Sequence, residues 1–210
     1  MSSVATGLVI YSADGTAYVF DPGSLCLELL LTGGPGELSR YEVLHQPDGL
    51  AEWLGLSRLR LASEDVRVDA AELHTAHRLR DALWRLGRAA ARGEPRRDED
   101  VAEINRVAAA PSLVPQLALA GTSTWRLPAT GAQVLSTFAR DAVDLFGGRF
   151  ATRIRECSSP DCYLIFVDTS PSGRRRWCSM ETCGNRSKVR ALRSRRSAGE
   201  ASAAAADRTR

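Results

Sequence analysis

The sequence predicts an α+β fold in two unequal parts: a mainly helical N-terminal domain with a small sheet, then a compact C-terminal ββα module. Three observations lead there. Apolar residues recur at three- and four-residue intervals over 69–92 and 132–146, as in helices with one buried face. Short β-prone runs bounded by turn residues occur near both ends of the chain. Four of the five cysteines fall into two close pairs, Cys157/Cys162 and Cys178/Cys183, bracketing a stretch long enough for two short strands and a turn.

The totals bound the possibilities. A chain of 210 residues, 44% hydrophobic and 25% charged, has the composition of a globular protein large enough for one medium and one small domain. Its net charge of +3 conceals an asymmetry. Residues 1–148 carry 14 basic and 19 acidic side chains, whereas 149–210 carry 14 basic and 6 acidic. A slightly acidic domain with a basic end suggests a polyanion partner, although a merely solvated basic tail has the same composition. The N-terminus lacks a basic start followed by a long apolar run, and no apolar stretch reaches the roughly 20 residues a membrane span needs. The expected location is therefore a reducing cytoplasm, where paired cysteines hold metal more readily than disulfides.

Along the chain, 8–11 and 17–20 read as a hairpin turning through Ser12-Ala13-Asp14-Gly15. Ser24 is placed to cap a buried helix over 25–31, in which the lone Cys26 is a small core residue. Gly33-Gly34-Pro35-Gly36 is a loop without the lysine or threonine of a phosphate cradle. Pro47-Asp48-Gly49 opens a short amphipathic helix ending near Gly55. The long helix over 69–92 buries Leu73, Ala76, Leu79, Leu83 and Leu86, with Arg78, Arg80, Asp81, Arg85 and Arg88 mostly off that stripe. His74 and His77 lie three apart there, but no acidic or cysteine partner stands in ligand spacing. A further helix starts at Asp98 or Asp100 and runs through Val101, Ile104 and Val107. Residues 117–119 and 125–127 are candidate strands, and the helix over 132–146 packs through Val134, Leu135, Phe138, Ala142, Leu145 and Phe146. Gly147-Gly148 marks the boundary, giving an N-terminal domain over 1–148, a cysteine module over 149–196 and a low-complexity tail over 197–210.

The two cysteine pairs suit a tetrahedral zinc site, because thiolates bind zinc and close pairs limit the loop entropy of gathering four ligands. Cys157, Cys162, Cys178 and Cys183 are the expected ligands of one structural Zn2+. Pro160 and Asp161 favour a tight knuckle between the first pair. Residues 163–168 read as one strand and 174–177 as the returning strand, with Phe166 and Trp177 as a small core. Ser179 can cap a helix carrying Cys183 in its first turns, where the helix dipole favours a thiolate.

That helix is the expected binding element. Arg186, Arg190 and Arg193 fall on one face, Lys188, Arg195 and Arg196 broaden the patch, and Arg174, Arg175 and Arg176 approach from the hairpin. Val189 and Leu192 mark the expected packed side. Arg190 and Arg193 are candidate phosphate contacts. Asn185 and Arg186 are residue types that read adenine and guanine edges, or equally that bond backbone carbonyls inside the module.

The combination Arg174-Arg175-Arg176-Trp177-Cys178-Ser179-Met180 with Cys183-Gly184-Asn185-Arg186 resembles the CGNR zinc-finger family. Upstream, Leu25-Cys26-Leu27-Glu28 and the helix His77-Arg78-Leu79-Arg80-Asp81-Ala82-Leu83-Trp84 resemble the N-terminal ABATE domain that accompanies it. The resemblance covers nearly the whole chain and implies a bacterial, stress-related transcription regulator whose finger binds DNA. The chain departs where the family pattern continues acidic-Phe-Val-Asn-Thr. It has Glu28-Leu29-Leu30-Leu31-Thr32, without the asparagine, which weakens any polar site carried over to that domain.

The leading function is thus a DNA-binding transcription regulator with a sensing or dimerising N-terminal domain, a homodimer being one open assembly. The alternatives are a zinc knuckle that binds RNA or a protein partner, and a zinc–thiolate redox switch. Catalysis finds little support: four cysteines close the zinc shell, and His45, His74 and His77 have no adjacent serine or cysteine nucleophile pattern.

Overall fold

The computed structural model describes residues 7–11 and 15–194, and its fold is the expected α+β arrangement of a helical body with four small two-stranded sheets. Strands β1 (Leu8–Tyr11) and β2 (Ala17–Phe20) pair antiparallel, Leu8 opposite Phe20 and Ile10 opposite Tyr18. Residues 12–14 of the expected turn lie outside the described residues, as do Arg195, Arg196 and the tail. Alternation sorts the hairpin's side chains: Leu8, Ile10, Tyr18 and Phe20 turn inward, whereas Val9, Tyr11 and Val19 are exposed.

The apolar run that follows is one buried segment with two windings, α1 (Leu25–Glu28) and a 3-10 turn over Leu29–Thr32. Ser24 stands at the N-cap position but makes no cap with its side chain. Its hydroxyl donates instead to Asp141, and Asp141 also accepts the Cys26 N–H at 2.8 Å. The cap thus comes from the distant helix α5 (Gly131–Gly147). Glu28, fully buried, accepts from the Arg58 Nε at 2.6 Å and the Arg58 backbone N–H at 2.9 Å.

After α2 (Pro47–Leu54), helix α3 (Ala70–Arg92) forms the spine. A reciprocal capping box starts it, with Asp69 accepting from the Glu72 N–H and Glu72 from the Asp69 N–H, and Gly93 ends it in the left-handed conformation. Leu73, Ala76, Leu79, Leu83 and Leu86 are all buried, and full burial of each leucine contributes about 1.5–3 kcal/mol. Arg80 corrects the expected pattern. It is 3% exposed and forks onto Glu42, at 2.9 and 2.7 Å, so that a charged residue enters the core already paired.

Helix α4 (Asp98–Ala108) lies against α3, and Arg85 of α3 bonds its buried Asp100 at 2.6 and 2.8 Å. The next strands fall two residues before the expected positions, as β4 (Pro115–Leu117) and β5 (Ser123–Trp125). Two short strands absent from the sequence expectation, β3 (Val66–Arg67) and β6 (Ala129–Thr130), pair in parallel and bring the starts of α3 and α5 (Gly131–Gly147) together. There Glu72 also accepts the Ala132 N–H at 2.8 Å, so one carboxylate serves two helix N-termini. The expected core positions of α5 are buried, and Ala139 joins them.

The C-terminal hairpin differs from the expected one. Strand β8 (Ile165–Val167) pairs antiparallel not with 174–177 but with β7 (Ile154–Glu156), upstream of the first cysteine. The cause is tertiary: Ile154, Ile165 and Val167 belong to the same core as α3, and β7 lies along that helix. Gly87 permits the approach, since a Cβ there would stand 3.0 Å from the Ile165 side chain. Residues 174–177 cross back over the knuckle, the Ser158 N–H donating to the Arg176 carbonyl at 2.9 Å. The ββα order survives with different strands, closed by a π-turn over Met180–Gly184 and helix α6 over 185–194.

Candidate metal centre and basic helix

The four cysteines converge although 21 residues separate the starts of the two pairs. In the knuckle the Cys157 N–H donates to the Leu164 carbonyl at 2.9 Å and the Cys162 N–H to the Ser159 carbonyl at 3.0 Å, folding the loop back on itself. The second pair is set by the helix start, where the Ser179 hydroxyl accepts from the Glu181 and Thr182 N–H groups. Gly184, which follows Cys183, lies under the Met180 side chain, where a Cβ would stand 2.9 Å from the sulfur.

The four Sγ atoms lie within 4.8 Å of one another, and Cys162 and Cys178 are 3.8 Å apart. A tetrahedron of thiolates about 2.3 Å from zinc has an edge of about 3.8 Å, so the spacing fits that ion. It is far beyond the roughly 2.05 Å of a disulfide, and all five cysteines are free. The electrostatics fit as well. Hydrogen bonds from Cys162 and Cys178 hold Cys157 far below the ordinary thiol range, while Cys162, its donating partner, is pushed above it. Four thiolates this close cannot coexist without a cation among them, which is the demand a dication meets. Among the described residues, this is the group of metal-ligating side chains close enough to share an ion.

Outer contacts surround the sulfurs. The Cys178 N–H points at the Cys157 Sγ at 3.4 Å, as expected of a knuckle. The Tyr18 hydroxyl lies 3.8 Å from the Cys178 Sγ, and burial followed by the nearby Cys178 pushes that phenol above its usual range. Tyr18 had no signal in the sequence, being 160 residues away. Nor did Asp168, which is fully buried and anchors the segment leading to Cys178 by accepting the Arg175 N–H at 2.9 Å. Cys26 is remote from this group, fully buried, with its thiol against the Ser24 hydroxyl at 3.4 Å.

The arginines divide by role. Arg174 and Arg176 are exposed, Arg176 resting over the Trp177 ring at 5.0 Å. Arg175 is turned inward, its guanidinium 4.2 Å over Phe166 and its Nε donating to the Trp177 carbonyl at 3.1 Å, a brace inside the module. On α6, Asn185, Lys188, Arg190 and Arg193 are exposed and Arg186 is half-buried. Asn185 donates one amide hydrogen to the Glu181 carbonyl at 3.2 Å, and Arg190 pairs with Asp161 of the knuckle. A cleft of about 420 Å³ runs along this face, lined by Thr16, Asn185, Arg186, Val189, Arg190 and Arg193. Val189 and Leu192 are each 47% exposed, so the expected packed side of the helix is open. The π-turn before it is embedded, at Thr182, Cys183 and Gly184, and among the described residues of the helix Arg186 and Ser187 are half-buried and the others exposed.

Among the described residues the histidines join no cluster of metal-ligating side chains: His77 bonds the Leu44 carbonyl at 2.9 Å and lies 3.8 Å from the Glu42 carboxylate, and His74 and His45 are exposed. Among the described residues, no helix is long and apolar enough to cross a membrane.

Two family models match the chain. One, ABATE, described as "Putative stress-induced transcription regulator", matches residues 23–149, and the other, the CGNR zinc finger, matches 153–196. A search of curated proteins finds no match.

Proposed function

The chain belongs to the ABATE family and carries a CGNR zinc finger, and from that premise we propose that it is a transcription regulator that binds DNA through helix α6. In this reading Cys157, Cys162, Cys178 and Cys183 hold one zinc ion. Zinc supplies cross-linking here and no chemistry, because four thiolates leave no open position for water or substrate. The observation that carries the reading is the mounting of the basic helix. Arg186, Arg190 and Arg193 share a face of a helix that begins two residues after Cys183, and Arg190 and Arg193 are exposed on it.

The dimensions suit a groove. Ten residues of α-helix span about 15 Å, and a major groove about 12 Å wide admits one helix. Arg174, Arg176, Lys188, Arg190 and Arg193 supply exposed cations for phosphates. Asn185 keeps its side-chain oxygen and one amide hydrogen after bonding Glu181, so it retains capacity for an adenine edge. Arg186, half-buried beside it, is a residue type that bonds a guanine edge.

A second reading, a protein-contacting module, is favoured by the exposure of Met180, Val189 and Leu192 on and beside the same helix. A redox switch is less well supported, since the sulfurs of Cys157, Cys178 and Cys183 belong to buried residues.

Metal analysis paired with DNA selection at stated salt tests the proposal. One zinc per chain is expected. So is a DNA affinity whose logarithm falls with log salt at a slope of about 0.9 per phosphate neutralised. Replacing Arg190 and Arg193 together by Ala should flatten the slope by about 2 and weaken binding similarly on all sequences. Unchanged affinity in that double variant refutes DNA binding through α6. Partners that survive nuclease treatment, with no affinity for duplex DNA, would support the second reading instead.

A further inference from the structure

Neither family model covers the β1–β2 hairpin, yet the hairpin is built into the cysteine centre. Phe20 is 1% exposed and packs in one cluster with Cys157, Phe166, Cys178 and Cys183, and Ile10, Tyr18 and Leu31 close around it. The strand alternation that buries Phe20 necessarily turns Tyr18 the same way, two residues earlier, and sets its hydroxyl 3.8 Å from the Cys178 Sγ. Just beyond the hairpin, the Val167 N–H donates to the Pro22 carbonyl at 2.8 Å, tying its exit to strand β8. At its other end, Thr16 reaches the cleft beside α6.

From this arrangement we infer that the zinc centre is completed from outside the finger: the β1–β2 hairpin is its cover, and the Tyr18 hydroxyl is an outer donor to the Cys178 thiolate. The inference rests on the four-cysteine zinc reading above. Four thiolates around Zn2+ carry a net charge of −2, which hydrogen-bond donors to sulfur spread and stabilise. Bound to zinc, a thiolate has no proton to give, so Tyr18 is the donor. Hydrophobic cover from Phe20 and Ile10 excludes water that would otherwise hydrate a departing ion. Loss of the hairpin from its seat would therefore loosen the metal, and loss of the metal would free the hairpin. The N-terminal domain and the finger are linked through this contact.

Two measurements on the full-length, zinc-loaded chain test it. In the first, zinc release to a competing chelator is timed for wild type, Tyr18→Phe and the control Tyr11→Phe, whose ring is exposed on the opposite face. Loss of an outer partner typically weakens metal retention 10- to 100-fold, so Tyr18→Phe should release zinc about tenfold faster or more, with Tyr11→Phe unchanged. Cobalt substituted for zinc should report the same bond as a red shift of the sulfur-to-metal charge-transfer band in Tyr18→Phe alone. In the second measurement, on wild type only, hydrogen exchange of residues 8–11 and 17–20 should accelerate when chelator strips the zinc. Release within twofold of wild type with an unshifted cobalt band overturns the role of Tyr18. Hairpin exchange indifferent to zinc overturns the cover. A wild-type chain that retains no zinc overturns the underlying metal reading together with the inference, and is thereby distinguished from either failure.

Discussion

Replacing Asp168 should damage the cysteine module more than any single charge on its surface. The residue is fully buried. Its Oδ1 accepts the Ser170 N–H at 3.0 Å and the Ser170 hydroxyl at 2.6 Å, and its Oδ2 accepts the Arg175 N–H at 2.9 Å. Its own N–H donates to the Arg153 carbonyl at 2.8 Å, and the Arg153 guanidinium bonds its carbonyl at 3.1 Å. Burial alone would raise the carboxyl pKa, but the bonds from Ser170 and Arg175 and the Arg153 charge hold it below the usual range. Hydrogen bonds to a charged group contribute about 1.5–3 kcal/mol each. Three of them do not add fully, because water reaches the half-buried Ser170 and Arg175 once the carboxylate is gone. Asp168→Ala should therefore cost about 3–4 kcal/mol, Asp168→Asn about 2, and Ser170→Ala about 1. Guanidinium unfolding of the zinc-loaded protein at neutral pH, followed by circular dichroism, measures the series. Zinc should also leave faster in Asp168→Ala, since Arg175 opens the segment that carries Cys178. A folded Asp168→Ala protein within 1 kcal/mol of wild type, or the reverse order within the series, refutes this account.

The paired charges elsewhere yield two further expectations. Arg80→Met leaves Glu42 without its bidentate partner and should cost about 3–5 kcal/mol, measured by the same unfolding assay. Partial burial pushes the Glu42 pKa up, but the Arg80 and Leu44 hydrogen bonds outweigh it and hold the carboxyl below its unfolded value. Its contribution is thus complete above the unfolded pKa near 4.3 and is lost as pH falls through the depressed folded value. The stability gap between wild type and Glu42→Gln should close progressively below about pH 4, and a gap independent of pH would refute the assignment. Asp161→Asn removes an exposed partner of Arg190, a pair worth at most about 1 kcal/mol. It should leave stability unchanged and raise DNA affinity up to about threefold at low salt, because Arg190 no longer has to leave a carboxylate to meet a phosphate.

Much of the fold was legible because its signals are local. Helix α3 announced itself through Leu73, Ala76, Leu79, Leu83 and Leu86. Likewise the hairpin 8–20 followed from two β-prone runs flanking a turn signal, and α5 from the stripe through Phe138 and Phe146. The errors share a cause. Residues 174–177 looked like the partner of β8 because they follow it, but β7 is the partner because α3 draws both strands onto its surface. Arg80 looked solvated because charge defines a polar face, whereas Glu42, 38 residues distant, lets it be buried. Val189 and Leu192 looked packed because apolar residues usually are, yet among the described residues each is about half exposed, which nothing in the helix itself reveals.

The sequence by itself determined the zinc chemistry and the family: residue type and close spacing decide which ion two cysteine pairs can hold, and those are written along the chain. It also determined which side chains α6 presents on one face, since helical periodicity is a local property. Only the tertiary structure decided what surrounds the metal. Tyr18 and Phe20 meet Cys178 and Cys183 across about three-quarters of the chain, and Arg175 turns inward while Arg174 and Arg176 stay out. Those contacts depend on how α3 receives β7 and β8 and how the hairpin closes over them. Such long-range packing is settled by shape and solvent exclusion among distant segments, which no local pattern of residues encodes.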